Sequence, residues 1–416
     1  MEEANADIIA ALEDGRLRFE LDAHHGPLGF TDDGVFFGAS NSRLRLLPMN
    51  QEVERWQQEA GIPNLLEMRF DVGFPGDIDI VADAPSMEYE QDGTRVAFSG
   101  LDAEGRYMPS EDRFVMTLQV DRFQSEEDDH TVSIEAVDFA SDSVLWEEAL
   151  WLGETTLSVG SISMSAEGVV FDAAGMQIVS DATETDSQKM EVSVSYLIDS
   201  IVTNDATTSD VDLTMTLGNV DMSVMRDYVE FAQRSFVDPD AVPEHELTEL
   251  LEAVVYSEPF LEFDPLTFLY NGEPMVGRLR MTVDAAALPP RDQFDSSELS
   301  SMSRQLILAE GAVEISRSLA RQVTREYLKA NIAAAVQQQE LTMSDAEIDG
   351  LAEQQAAQVL GNLVMQGFLV ENEAGYRSDL AFKAGQLSVN GNIIPLPEMP
   401  VPEEAPNNAA EDGDAL

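Results

Sequence analysis

Four histidines occur in the whole chain, and two of them are adjacent in the stretch LDAHHGPLGF, residues 21–30. Paired imidazoles could ligate a metal, or supply a general base with a companion. Spacing argues against both. Successive residues of a strand point to opposite faces, so His24 and His25 cannot reach one ion unless the chain turns. Gly26-Pro27 offers a turn, yet Asp22, Asp32 and Asp33 stand at no recognised ligand spacing such as H-E-x-x-H. His130 and His245 fall in an acidic loop and at a helix start. The pair is expected to mark a strand turn or a cap, and no metal site is assigned.

The other chemistry-bearing residues are carboxylates, 79 of them. At that abundance any two resemble an acid–base pair, so no catalytic residue can be chosen. The run Glu126 to Asp129 reads as a solvated face, able at most to bind divalent ions weakly and without specificity. There is no cysteine, which excludes disulfides, thiol catalysis and zinc-thiolate sites. No G-x-S-x-G, P-loop or G-x-G-x-x-G occurs, so no cofactor is expected.

Against those 79 acidic residues stand 23 basic ones, a net charge of −56, and the lysines are only Lys189, Lys329 and Lys383. Such a surface repels phosphates, so nucleic acid is excluded as a partner and an anionic bilayer surface is disfavoured. Lysine this scarce and acidity this even suggest adaptation to concentrated salt, where screening shortens to about 3 Å at 1 M. Hydrophobic content of 44% is that of a folded chain. No apolar run is long enough to span a bilayer, and MEEANADIIAALEDG is acidic where an export signal would be basic. The expectation is a cytoplasmic chain, or one that begins after a membrane or export segment.

The elements that would position any site are mostly strands. Residues 49–60 read as a short polar helix closed by Gly61 and Pro63. From 64 to 220 apolar residues alternate with Ser, Thr, Asp and Glu, as in DRFVMTLQVDRF and EVSVSYLI. In TLSVGSISM the alternation slips, passing from Leu157 and Val159 to Ile162 and Met164. Period two with one polar face predicts antiparallel strands, and Asp92-Gly93 and Asn271-Gly272 predict hairpin turns. Helical spacing appears at 222–256 and over 297–366, where Ile307, Val313, Ile315, Leu319 and Val323 fall on one long stripe. Ser344 with Glu347 makes a capping box.

Two motifs carry a resemblance. The ending SDLAFKAGQLSVNGNIIPLP is similar to the C-terminal signature of the YdgA-like family, an L-x-V-N-G strand followed by P-L-P. HHGPLGF resembles that family's HGP segment, and VDLTMTLGNVD matches its middle. The resemblance implies a cell-envelope protein of largely unknown function: a periplasmic body anchored to the inner membrane by one N-terminal helix, which this chain would follow.

The fold class expected is α+β, a long, mostly antiparallel, curved sheet meander with amphipathic helices packed on it in the C-terminal half. Residues 1–221 form its β-rich part, 222–397 a mixed part continuous with the same sheet, and 398–416 a disordered acidic tail. The function expected is non-enzymatic, a scaffold or binding protein with an envelope protein or an apolar ligand as partner. Several of the 18 methionines lie on apolar strand faces, where their adaptable shape suits greasy ligands. Phe114, Met116 and Leu118, with Leu213, Met215 and Leu217, are the expected lipid-contacting face. The alternative is a carboxylate-dependent hydrolase acting on envelope polymers, betrayed by a cleft with a raised carboxyl pKa.

Overall fold

The computed structural model describes residues 17–395 except 26–28, 32–33, 37, 49–54, 56–63, 92, 148–149, 186–187, 205, 238–242, 295–298 and 339–342. The expected polar helix at 49–60, Arg55 apart, lies outside the described residues, as do Gly26-Pro27 and the acidic tail.

The N-terminal strands are short: β1 (Leu17–His25), β2 (Gly29–Thr31), β3 (Gly34–Phe36), β4 (Ser40–Pro48), β5 (Leu66–Val72), β6 (Ile78–Ala84), β7 (Met87–Gln91), β8 (Thr94–Phe98) and β9 (Leu101–Met108). Long strands follow: β10 (Arg113–Glu127), β11 (His130–Trp146), β12 (Leu150–Ala166), β13 (Val169–Glu184), β14 (Lys189–Thr203) and β15 (Thr207–Asp221). Helices α1 (Met222–Val237) and α2 (Glu244–Tyr256) lead to β16 (Phe260–Tyr270) and β17 (Glu273–Val283). After α3 (Leu299–Leu306) come β18 (Ile307–Ser316), α4 (Arg317–Gln338), α5 (Asp345–Met365) and β19–β22 (Val370–Glu371, Gly375–Lys383, Gln386–Val389, Asn392–Ile394).

Twenty of these strands form one sheet, and β2 pairs only with β3. The sheet runs β1–β4–β5–β6–β9–β10, then in chain order to β18, then β20–β21–β22, every pairing antiparallel. Tight turns make this meander possible. At Asn271-Gly272 both φ angles are positive, 50° and 80°, the geometry whose twist matches two antiparallel strands.

The expected α+β class is overturned. Among the described residues strand makes up about 60% and helix 24%, in a single long sheet with few helices, so no layer of C-terminal helices packs over it. The physical reason lies in where the helical apolar residues go. On α5, Ile348, Ala352, Ala356 and Leu360 are buried, and α4 is tied to α5 by Arg321 with Glu353 and by Lys329 with Asp349 at 3.6 Å. The two helices satisfy each other rather than the sheet. Part of the long helical stripe is also a strand: Ala309, Gly311, Val313 and Ile315 alternate on β18, and the helix starts only where Ser316 Oγ accepts from the Leu319 amide at 3.0 Å. The spacings of six and two from Ile307 to Val313 and Ile315 fit period two and not the helical period, and β18 pairs with β17 and β20 accordingly.

A single irregularity crosses eight strands in register. The pairing skips Asp121 with Ala136, Ala136 with Gly160, Gly160 with Gly175, Gly175 with Asp199, and Asp199 with Asp210, while the register on either side is unchanged. Ala136, Gly175 and Asp210, on alternate strands, have φ of 53°, 61° and 50°. The same line breaks β8 from β9 at Ser99-Gly100 and β6 from β7 at Pro85-Ser86. In each long strand two successive polar or small residues turn outward, such as the exposed Asp121-Arg122 and Glu135-Ala136. The apolar alternation slips by one as it passes them. A strand with two successive residues on one face and its apolar flanks on the other must bend there, and the aligned irregularities crease the sheet. The slip read at Gly160 is one stitch of that crease.

Candidate functional site

Residues opposite each other in an antiparallel ladder share a face, so register assigns faces across the sheet. Leu118 connects through Phe139, Leu157, Ile178 and Tyr196 to Leu213. Met116 connects through Ser141, Thr155, Ser180 and Val194 to Met215, and Phe114 through Ser143, Gly153, Ala182 and Val192 to Leu217. The six expected site residues are therefore the ends of three rows on one face, five strands apart. None of the six is buried, and Leu217 is 37% exposed.

The three rows differ in chemistry. The Leu118 row is apolar throughout. The Met116 row has a hydroxyl centre, where Ser141 and Thr155 hydrogen-bond to each other at 3.0 Å. The Phe114 row is partly roofed: Met222 of α1 is buried with Leu150 and Met190, and Ala182 and Val192 pack against them. Phe114 itself meets Trp151 edge-on, centroids 6.1 Å apart.

Sequence reasoning missed the rows that line the crease. Val120, Val137, Val159, Met176, Ile198 and Val211 pair on one side of it. On the other side Met87, Phe98, Phe123, Ile134, Ile162, Ala173, Ile201 and Thr208 pair across eight strands. Apart from Thr208 both rows are apolar, and Ala173 is 3% exposed. The signal was present as the repeated three-residue gap between apolar positions, 120 to 123, 134 to 137 and 159 to 162. Among the described residues sixteen hydrophobic side chains are buried, six of them alanine. That is too few for a second layer to seal these rows.

The opposite face is charged. Arg43 and Arg45 approach Glu67 at 3.0 and 3.1 Å, and Arg113 donates to Asp142 at 2.8 Å, holding that carboxyl below its usual range. Burial, then the neighbouring Glu67, pushes the Asp83 carboxyl up. Beside Asp102, its ladder partner, lies an open cavity of about 480 Å³ bordered by Glu104, Gln119, Asp138 and Ser158. This is the feature a carboxylate-dependent hydrolase would use, with Asp102, Glu104 and Asp138 on its border. Among the described residues no three His, Asp or Glu stand together as a metal would need. His24 and His25 lie on β1 opposite Asn41 and Ser40, with His24 Nδ1 3.7 Å from Asp22.

A Ser–Lys–Asp grouping among the described residues is a structural tie. Ser257, 1% exposed, donates to Asp221 at 3.0 Å, and Lys189 Nζ reaches the same carboxylate at 2.9 Å and the Ser257 carbonyl at 3.1 Å. It locks the end of β15 to the end of α2. Burial pushes the Asp221 carboxyl up, but the Lys189 and Ser257 hydrogen bonds outweigh it, and the pKa lies below the usual range. A lowered folded pKa stabilises above the unfolded value near 3.9, and the effect is lost as pH falls through the folded one. Asp221→Asn should therefore cost about 1 kcal/mol at pH 7, the side chain being over a third exposed and partly screened. Urea melts should find that difference gone near pH 2; a constant difference would contradict the assignment.

Fold and site define an open, single-sheet protein with one creased apolar face and one charged face. No helix among the described residues is long and apolar enough to cross a membrane. The chain belongs to a family of bacterial proteins of unknown function (DUF945), matched over residues 4–397. No curated protein and no solved structure matches it.

Proposed function

We propose that this is a non-enzymatic binding protein of the cell envelope that shelters lipid, or another apolar ligand, on the apolar face of its sheet. The observation that carries the reading is the apolar row from Leu118 through Phe139, Leu157, Ile178 and Tyr196 to Leu213, flanked on the same face by Phe114, Met116, Met215 and Leu217, with none of the six expected residues buried. Apolar surface left this open on a folded domain marks a place of contact. The periplasmic setting and a tether to the inner membrane rest on the resemblance in HHGPLGF and SDLAFKAGQLSVNGNIIPLP.

Burying an acyl chain gains roughly 0.8 kcal/mol per methylene, enough for micromolar binding after the costs of association. Protein purified without detergent should yield lipid on extraction and mass spectrometry. Met116→Asp with Met215→Asp should empty it while the circular dichroism of the sheet persists. A clean extract from the parent protein would remove the reading.

A further inference from the structure

We propose that two copies of this chain join edge to edge through β1, which forms an antiparallel pair with its own copy across a two-fold axis at Phe19. Nothing in this pairing depends on bound lipid. Strand β1 is laddered to β4 along one side, and among the described residues no ladder runs along the other. An open edge offers a row of unpaired N–H and C=O groups to another chain. Two other edges of the sheet are protected. Strand β7 carries Glu88 and Glu90 within five residues, and β22 is three residues long and followed by Pro395. By contrast β1 has nine residues with no proline, no lysine and no left-handed backbone. Its Phe19 and Leu21 are 53% and 66% exposed.

Two features select a second copy as the occupant. The first is charge. Strands β1, β4 and β5 carry Arg18, Arg43, Arg45 and Arg69 against Glu20, Asp22, Glu67 and Asp71, a balance of zero in a chain of −56. The next strand across the sheet, β6, is the first with an excess, in Asp79 and Asp83. Joined at β1, the two β6 strands would stand seven strand spacings apart, about 34 Å. Repulsion over that distance is screened at 0.15 M salt, where the Debye length is about 8 Å.

The second feature is register. With the two-fold at Phe19, Arg18 of each copy stands opposite Glu20 of the other, and Leu17 opposite Leu21. Opposite charges then share one face and apolar residues the other, each contact made twice. A two-fold at Glu20 or at Leu21 would set Glu20 against Glu20 or against Asp22, and like charges opposed destabilise a ladder. Leu21 also ends the row that runs through Leu44, Met68, Ala82 and Ala103 to Leu118. The apolar face would therefore cross the junction unbroken.

A one-strand interface is small and its association weak, so the full chain is sedimented at about 0.1 mM in 0.15 M salt. Twice the monomer mass is expected, with folding of every variant checked by circular dichroism. Phe19→Cys, the sole cysteine of its chain, should crosslink to its copy on mild oxidation, the two Cα atoms lying about 5 Å apart. Leu21→Cys should not, being displaced from its copy by four residues, about 13 Å along the strand. Arg18→Glu and Glu20→Arg should each sediment as monomers, and their equimolar mixture, in which opposite charges face again, as a dimer. A parent chain that stays monomeric overturns the pairing. Crosslinking through Leu21→Cys and not Phe19→Cys overturns the register. A dimer indifferent to both charge changes, or a mixture that stays monomeric, overturns the assignment to β1.

Discussion

In 0.05 M sodium chloride the protein is expected to unfold at a much lower temperature than in 2 M. The 23 basic residues can each engage a carboxylate, as Arg280 does with Glu262 at 2.7 Å and Arg226 with Glu147 at 2.8 Å. That still leaves an excess of 56 carboxylates with no cation to match. An open sheet offers little interior in which such charges could be separated by low-dielectric material, so their repulsion passes mainly through solvent, where salt acts. The screening length falls from above 10 Å to below 3 Å over this range. Relief of several kcal/mol is expected, raising the melting midpoint on the order of 10 °C. Ellipticity followed through thermal melts at five salt concentrations measures it. A midpoint that does not move would end the proposal of adaptation to concentrated salt.

Replacing both crease glycines, Gly160 and Gly175, by valine should destabilise the sheet by roughly 4 kcal/mol. A side chain at Gly160 would meet the Ala136 Cβ at 2.9 Å and the Glu135 carbonyl at 3.2 Å. At Gly175, with φ of 61°, it would meet the Asp199 side chain at Cβ, 2.8 Å away. A β-branched residue in the left-handed region adds about 1–2 kcal/mol, and overpacking adds about 1–3 kcal/mol. Both added side chains would stand on the face opposite the apolar rows, so lipid content per folded molecule reports on the bend itself. Urea titration of the double variant gives the stability. A loss under 1 kcal/mol would mean that small residues are not what allows the strands to fold there.

Much of this protein was legible residue by residue. Alternation in β10 through β15 predicted strands because a ladder wetted on one side needs a polar residue at every second position. Asn271-Gly272 predicted its hairpin because few other pairs accept two positive φ angles, and Ser344 with Glu347 predicted the start of α5, where Glu347 Oε2 accepts from the Ser344 amide at 2.8 Å. Phe114, Met116 and Leu118 were placed on one face, as were Leu213, Met215 and Leu217, because within a strand face follows from spacing alone. The fold class was misread. Helical stripes predict that an apolar face will be buried, not against what, and α4 and α5 chose each other.

What no single strand contains is its register with the next. That Leu118 and Leu213 end the same row depends on five hairpins each closing without a slip, a sum of local lengths with no local marker. The same sum sets the irregularities at 121, 136, 160, 175, 199 and 210 side by side. Each alone is a flaw in one strand's alternation. Only hydrogen bonding between neighbours, which fixes relative height to one residue, lines them up into a bend and turns six interrupted patterns into one continuous apolar floor.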